Sequence, residues 1–181
     1  MKIVTWNYRG LGIAPAIRGL LDVQRSEDPD ILFVSETKLK AKRMERFKWL
    51  LGLPCMVAHD SEGKGGGVAV FWRKGLSVEL CNFSRFHMDL EMKEEDGFKW
   101  RFTGMYGELR AKKRHLTWKL MRILHNQASL PWVCAGDFNE VIFADEKEGG
   151  NEKTQACMGR FREALEVCGL EDLGFEGDKF T

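Results

Sequence analysis

The sequence predicts an α/β domain in which strands pack as two sheets with helices outside them, and three observations carry that prediction. Its 181 residues suffice for one domain that buries roughly 70% of the surface the unfolded chain exposes. Helical patterns occupy the early part of the chain and its last third. Between them, residues 76–106 hold several strand patterns in succession, a meander and not an alternation of strand with helix.

Each element has a local reason. Lys2–Trp6 is short, β-branched and aromatic, and ends at Asn7 and the glycine-punctuated loop Arg9-Gly10-Leu11-Gly12. Pro15 opens a helix to about Glu27 with Ile17, Leu20, Leu21 and Gln24 near helical spacing, closed by Asp28-Pro29. Ile31–Ser35 is a continuous apolar strand with Glu36-Thr37-Lys38 at its end. Ala41–Leu51 reads as a helix whose inner face is Met44, Phe47, Leu50 and Leu51. Strands are expected over Pro54–His59, Val68–Arg73, Leu76–Phe83, His87–Met92 and Phe98–Tyr106, with turns at Gly63–Gly67 and at Glu94-Glu95-Asp96-Gly97. An amphipathic helix over Lys112–Ala128, a buried strand over Pro131–Ala135 and a helix over Thr154–Val167 complete the chain, which carries no internal repeat and no linker.

Composition removes several classes of protein. With 44% hydrophobic and 30% charged residues and four Pro, the chain is neither disordered nor fibrous. Its longest apolar runs fall far below the ~18 residues of a membrane helix, and the start offers no secretory signal, so an intracellular protein is expected. The five cysteines are scattered without a Cys-x-x-Cys pair, which suits reduced thiols better than disulfides or zinc. The net charge of +1 hides an asymmetry: residues 1–136 carry 23 Lys and Arg against 15 Asp and Glu, residues 137–181 carry 5 against 12. Basic runs at residues 38–48 and 110–122 suit a polyanion such as nucleic acid, and equally a solvated helix face.

Four polar positions follow apolar strands and so would be held at a rigid edge: Asn7, Glu36, Tyr106 and the pair Asp137 and Asn139. Singly, each has an ordinary explanation as a turn cap, an ion-pair partner or a half-buried ring. Together they outline a phosphoryl-transfer site. Carboxylate and amide oxygens are hard donors that suit Mg²⁺, for which Mn²⁺ can substitute; a carboxylate can activate water, and a tyrosine hydroxyl and an amide can donate to phosphate oxygens.

The chain resembles the endonuclease/exonuclease/phosphatase superfamily at Ile3-Val4-Thr5-Trp6-Asn7 with Arg9-Gly10, Pro29-Asp30-Ile31-Leu32-Phe33 with Glu36-Thr37-Lys38, Gly65–Val70, Thr103-Gly104-Met105-Tyr106-Gly107 and Ala135-Gly136-Asp137-Phe138-Asn139. Within it, the chain is most similar to the apurinic-like endonuclease of plant non-LTR, LINE-type retrotransposons. The resemblance implies a four-layer α-β-β-α sandwich of two mixed sheets, DNase I-like, spanning residues 1–181 as a single domain that lacks its last strands. It implies Glu36 as main metal ligand assisted by Asn7, Asp137 on the nucleophilic water, Asn139 orienting Asp137 and the phosphate, and Tyr106 on the phosphate. Arg9, Lys38, Arg110, Lys112, Lys113 and Arg114 become candidates for contact with nucleic acid. The implied activity is Mg²⁺-dependent nicking of DNA by a nuclear monomer, joined in cis to a reverse transcriptase where the chain is part of a polyprotein.

The chain departs from the family pattern in three places. Tyr106-Gly107-Glu108-Leu109 lacks the usual Pro-Asn, Tyr8 replaces a smaller residue as a core change, and the final Ser-Asp-His is not reached before Lys179-Phe180-Thr181. Weak or absent turnover is therefore expected. The four histidines are assigned to structure or surface, and the alternatives are a non-catalytic nucleic-acid-binding remnant or a phosphomonoesterase of the same superfamily. Gly63–Gly67 is expected to feed a strand and not to cradle phosphate. Trp6, Phe33, Phe71, Trp72, Trp100, Phe102 and Trp132 are expected in the core, Trp49 and Trp118 packed on a sheet, and residues 145–150 as a solvated turn.

Overall fold

The computed structural model describes residues 1–62, 65–127, 129–146, 149 and 154–174. Two compact units are present, the first made of Met1–Tyr106 with Leu130–Asp137, the second of Gly107–Ser129 and the described residues from Phe138 on. No helix among the described residues is long and apolar enough to cross a membrane.

The first unit is built on two four-stranded mixed sheets. One joins β1 (Ile3–Asn7), β2 (Ile31–Ser35), β3 (Cys55–His59) and β4 (Val68–Trp72) in the order β1-β2-β4-β3; the other joins β5 (Ser77–Ser84), β6 (His87–Lys93), β7 (Lys99–Tyr106) and β8 (Trp132–Asp137) in sequence order. In each sheet one pair is parallel, β1 with β2 and β7 with β8, and the rest are antiparallel. The meander expected between residues 76 and 106 is β5, β6 and β7, with a bulge between Leu80 and Asn82.

Side-chain alternation along the strands produces two cores. Ile31 and Phe33 of β2, Val68 and Val70 of β4, Met88, Leu90 and Met92 of β6, and Phe102 and Tyr106 of β7 are buried together between the sheets. The opposite face of the first sheet, with Leu32, Val34, Ala69 and Phe71, packs against α1 (Ala14–Glu27) through Leu20 and α2 (Ala41–Leu51) through Met44, Phe47 and Leu51. Strand β2 is therefore buried on both faces, which explains its unbroken apolar run.

The second unit holds α3 (His115–His125) and α4 (Gln155–Val167), which pack on each other and join through Arg122 and Glu163 at 3.6 Å. Thr154 caps α4 by accepting from the Cys157 N–H at 3.3 Å. The helix expected from Lys112 begins later: Ala111–Lys113 forms a 3-10 turn, while Ala128 lies outside the described residues.

Three packing expectations are corrected, two of them aromatic. Trp6 is 44% exposed because β1 is an edge strand, with β2 as its one sheet neighbour. Trp49 is 82% exposed, on the side of α2 opposite the core face, so it does not pack on a sheet. Leu50, expected on the inner face of α2, is half exposed. The turn at Gly63–Gly67 is described only at Gly65–Gly67, which does lead into β4. Residues 147, 148 and 150 of the acidic loop, and Lys179-Phe180-Thr181, lie outside the described residues.

Candidate active site

The register of the two parallel pairs places four candidate residues at strand ends. Asn7 closes β1 opposite Ser35, the last residue of β2, and Glu36 follows directly; Tyr106 closes β7 opposite Asp137, which closes β8. Two side-chain hydrogen bonds then join the sheets at this rim. The Asn7 amide Nδ2 donates to Asp137 Oδ2 at 2.6 Å, across 130 residues of sequence, and the Tyr106 hydroxyl donates to Glu36 Oε1. Asn7, Glu36, Tyr106 and Asp137 thus form one cluster, each residue anchored by the end of a different strand.

The backbone around them is held in an unusual shape. Arg9, Glu36 and Lys38 have φ of 48°, 51° and 54°, the left-handed region that non-glycine residues rarely occupy. The Tyr8 N–H donates to Ser35 O at 3.0 Å and the Leu11 N–H to Thr37 O at 2.9 Å, so the two loops brace one another. From the other side, the carbonyls of Gly67 and Gly66 accept from the N–H groups of Thr37 and Lys38 at 3.1 and 3.0 Å. Gly67 itself has φ of +85°, and a Cβ there would lie 2.4 Å from Thr37 Oγ1. The glycine turn therefore acts as a backing for the Glu36 loop.

Gly136 has a similar reason beside Asp137. Its φ is +138°, and a Cβ would come within 2.1 Å of the Met105 carbonyl oxygen on β7. The glycine preceding Asp137 is what lets β8 lie close against β7 at the residue that bears the carboxylate.

The donor set fits a hard divalent cation. Glu36 gives Oε1 to Tyr106 and keeps Oε2 without a protein partner among the described residues. Asn7 has its nitrogen committed to Asp137, and its Oδ1 accepts only the long 3.3 Å bond from the Arg9 N–H. One carboxylate and one amide oxygen suit Mg²⁺, which binds through few protein groups and retains water for a phosphate ligand. Arg9 and Lys38 are exposed beside this rim and form no ion pair among the described residues, which suits contact with phosphate.

The remaining candidates lie in the second unit. Asn139 has φ of 54° and donates from Nδ2 to the Gly107 carbonyl at 2.9 Å. Arg110 is clamped by buried Glu108 through bonds of 2.8 and 2.6 Å, and Arg114 lies 3.8 Å from Glu140. These two arginines have internal partners, Arg110 while still exposed, whereas Lys112 and Lys113 are exposed and form no ion pair among the described residues. Glu108, which stands in the loop where the Pro-Asn pattern is missing, also ties its own N–H to Thr117 Oγ1 at 2.9 Å.

Neither histidine of the first unit stands on β1, β2, β7 or β8. His59 ends β3, with its Nδ1 3.0 Å from the Asp60 carbonyl. His87 is buried at the start of β6, with Nδ1 2.8 Å from Ser84 Oγ; burial above all holds its pKa down to about 4. Tyr8 packs against the helix-facing core, and burial followed by the charge of Asp22 pushes its hydroxyl up to about 12. It acts as a core residue.

A sequence model described as the endonuclease/exonuclease/phosphatase family matches residues 4–175. No curated protein matches the sequence. Among solved structures, the AP endonuclease of Leishmania major superposes with a TM-score of 0.63 at 18% identity, over 92% of this chain and 66% of that one. The 3'-5' exonuclease of Neisseria meningitidis superposes with a TM-score of 0.62 at 18% identity, over 92% and 71%. The human Nocturnin catalytic domain gives 0.57 at 14%, over 78% and 64%. The chain thus spans about two thirds of the length of these structures. The likeness carries the fold, two mixed sheets flanked by helices in the DNase I-like manner.

Proposed function

Because the chain belongs to the endonuclease/exonuclease/phosphatase family, we propose that it is a Mg²⁺-dependent phosphodiesterase that nicks DNA, of the kind carried by LINE-type retrotransposons. The observation that carries this reading is the cross-sheet cluster, in which Asn7 bonds Asp137 and Tyr106 bonds Glu36 at one rim. No metabolic cofactor is needed for that chemistry. Members of the family are generally dependent on a divalent metal, and Glu36 and Asn7 are the residues that would hold it.

Bound there, Mg²⁺ would offset the charge that builds on the scissile phosphate and its leaving oxygen. Asp137, fixed by the Asn7 amide, orients the attacking water and accepts its proton as the new P–O bond forms and the bond to the leaving oxygen breaks. Tyr106 has its hydroxyl poised by Glu36 and donates to a phosphate oxygen when substrate displaces that bond. Arg9 and Lys38 supply positive charge along the DNA backbone.

No histidine stands on the four strands that carry the cluster, and the reading is therefore one of slow turnover. A histidine that stabilises the transition state accounts for orders of magnitude in rate in such sites. The same absence favours a second reading, a domain that binds DNA without cutting it. The wider role follows from the retrotransposon reading: a nuclear monomer working beside a reverse transcriptase in cis.

A supercoiled-plasmid nicking assay separates these readings. With Mg²⁺, nicked circles should accumulate slowly, EDTA should stop them, and Glu36→Gln should lower the rate about 100-fold or more. Nicking that survives EDTA or the Glu36→Gln substitution contradicts the metal mechanism. Salt-sensitive DNA binding without any nicking selects the second reading, and release of phosphate from small esters without nicking selects a phosphomonoesterase.

A further inference from the structure

The core-facing residues Met44, Phe47 and Leu51 leave the opposite side of α2 to solvent. That side carries Lys42, Arg46 and Trp49, spaced i, i+4 and i+7, which fall within about 60° of one another around the axis and span about 11 Å along it. Trp49 is 82% exposed, whereas the next most exposed aromatic ring described, Phe143, is 55% exposed. An indole this exposed on a regular helix offers a free, rigid stacking face beside the cations.

The charges around it are uncommitted. Glu45, the only acid on the helix, is taken by Lys48 at 2.5 Å. Lys42, Arg43 and Arg46 form no ion pair among the described residues. Arg46 lies over the ring of Phe47, its guanidinium carbon 4.9 Å from the ring centroid, and keeps its N–H donors free of any acidic partner among the described residues. The start of α2 is tied to the active rim: Asp60, one residue beyond β3, accepts from the Ala41 N–H at 2.7 Å, and Lys40 precedes it at the N-cap, four residues past Glu36.

We propose that this face of α2 is a docking surface for a single strand of nucleic acid, with its phosphates on Lys42, Arg43 and Arg46 and one base stacked on Trp49. The charge complementarity is direct, and an exposed indole stacks on any unpaired base regardless of sequence. An amphipathic helix lying on a membrane needs a broad apolar face, and in α2 that face is already buried in the core. The inference rests on the nuclease reading for the class of ligand and extends it: unpaired substrate leaving the Glu36 rim runs along α2 toward Trp49.

The test is fluorescence-anisotropy binding of a labelled oligothymidylate of about 20 nucleotides, long enough to exceed a typical single-strand site. It is run in EDTA so that cleavage plays no part. Trp49→Ala should weaken binding roughly tenfold, with Trp49→Phe restoring most of it, as stacking requires. The double variant Lys42→Glu/Arg46→Glu should lower the slope of log affinity against log salt by about 1.4, the share of two phosphate contacts to a single strand. Because Trp49 is exposed, circular dichroism of the variants should match wild type. Single-strand binding that Trp49→Ala leaves unchanged overturns the surface, as does Trp49-dependent binding to phosphatidylserine vesicles without oligonucleotide binding. Either result leaves the nuclease reading to the Mg²⁺ nicking assay, which is scored independently.

Discussion

A buried imidazole shows what burial costs in this fold. His87 is 2% exposed, and its displacement to about 4 comes chiefly from loss of water, with Arg101 adding to it and Asp89 opposing. In the unfolded chain the same group titrates near 6.5. Above that value both states are neutral and nothing is lost; as pH falls from about 6.5 to about 4, the unfolded chain takes up a proton that the folded chain refuses. Folding stability should therefore drop over that window by up to about 3 kcal/mol, with no further loss from this group below it. His87→Asn, which retains a partner for Ser84, should flatten that part of the profile in urea melts taken between pH 7 and pH 4. A profile as steep as wild type would assign the loss to other groups.

At the scale of elements, the face of the second sheet turned away from the intersheet core is organised by a buried ion pair. Arg101 on β7 binds Asp89 on β6 through bonds of 2.7 and 2.8 Å, Thr103 Oγ1 donates to the same carboxylate at 2.6 Å, and Trp132 on β8 donates its ring N–H to Thr103 at 2.8 Å. Arg101 also stacks on the Trp132 ring at 4.9 Å. Three strands are thereby fastened side by side ahead of the rim that bears Tyr106 and Asp137. Removing one partner leaves the other charged and buried, so Asp89→Ala should cost about 3 to 5 kcal/mol, whereas a paired replacement of Asp89 and Arg101 by apolar residues should cost much less. Chemical denaturation of the single and double variants checks this; equal losses in both would mean the pair is not coupled.

Much of this element layer could be read from the sequence. The inner face of α2 at Met44, Phe47 and Leu51 shows in its spacing, and the meander shows in its turn residues. Aromatic residues usually pack, which predicts Trp6 in the core and Trp49 against a sheet. Whether a strand lies at an edge, or which side of a basic helix meets solvent, depends on neighbours far away in sequence. The clamping of Arg110 by Glu108 was equally hidden, since a run of cations does not reveal which member a nearby acid will claim.

For the first unit as a whole, the decisive event is the meeting of two sheets. Asn7 and Glu36 end neighbouring strands of one sheet, Tyr106 and Asp137 end neighbouring strands of the other, and only the face-to-face packing turns two pairs into one site. Motif order in the sequence indicated the four residues; which oxygen meets which amide came only with the fold. The core between the sheets is thus the support of the chemistry, since a slip of either register would part the pairs.

The most direct check on that convergence is anomalous diffraction from crystals soaked in Mn²⁺, for wild type and Glu36→Gln. A single wild-type peak should lie at about 2.0 to 2.2 Å from oxygens of Glu36 and Asn7, the spacing of a small octahedral cation, and it should vanish in the variant. An ion bound elsewhere, or one at the rim that ignores Glu36, would contradict the account.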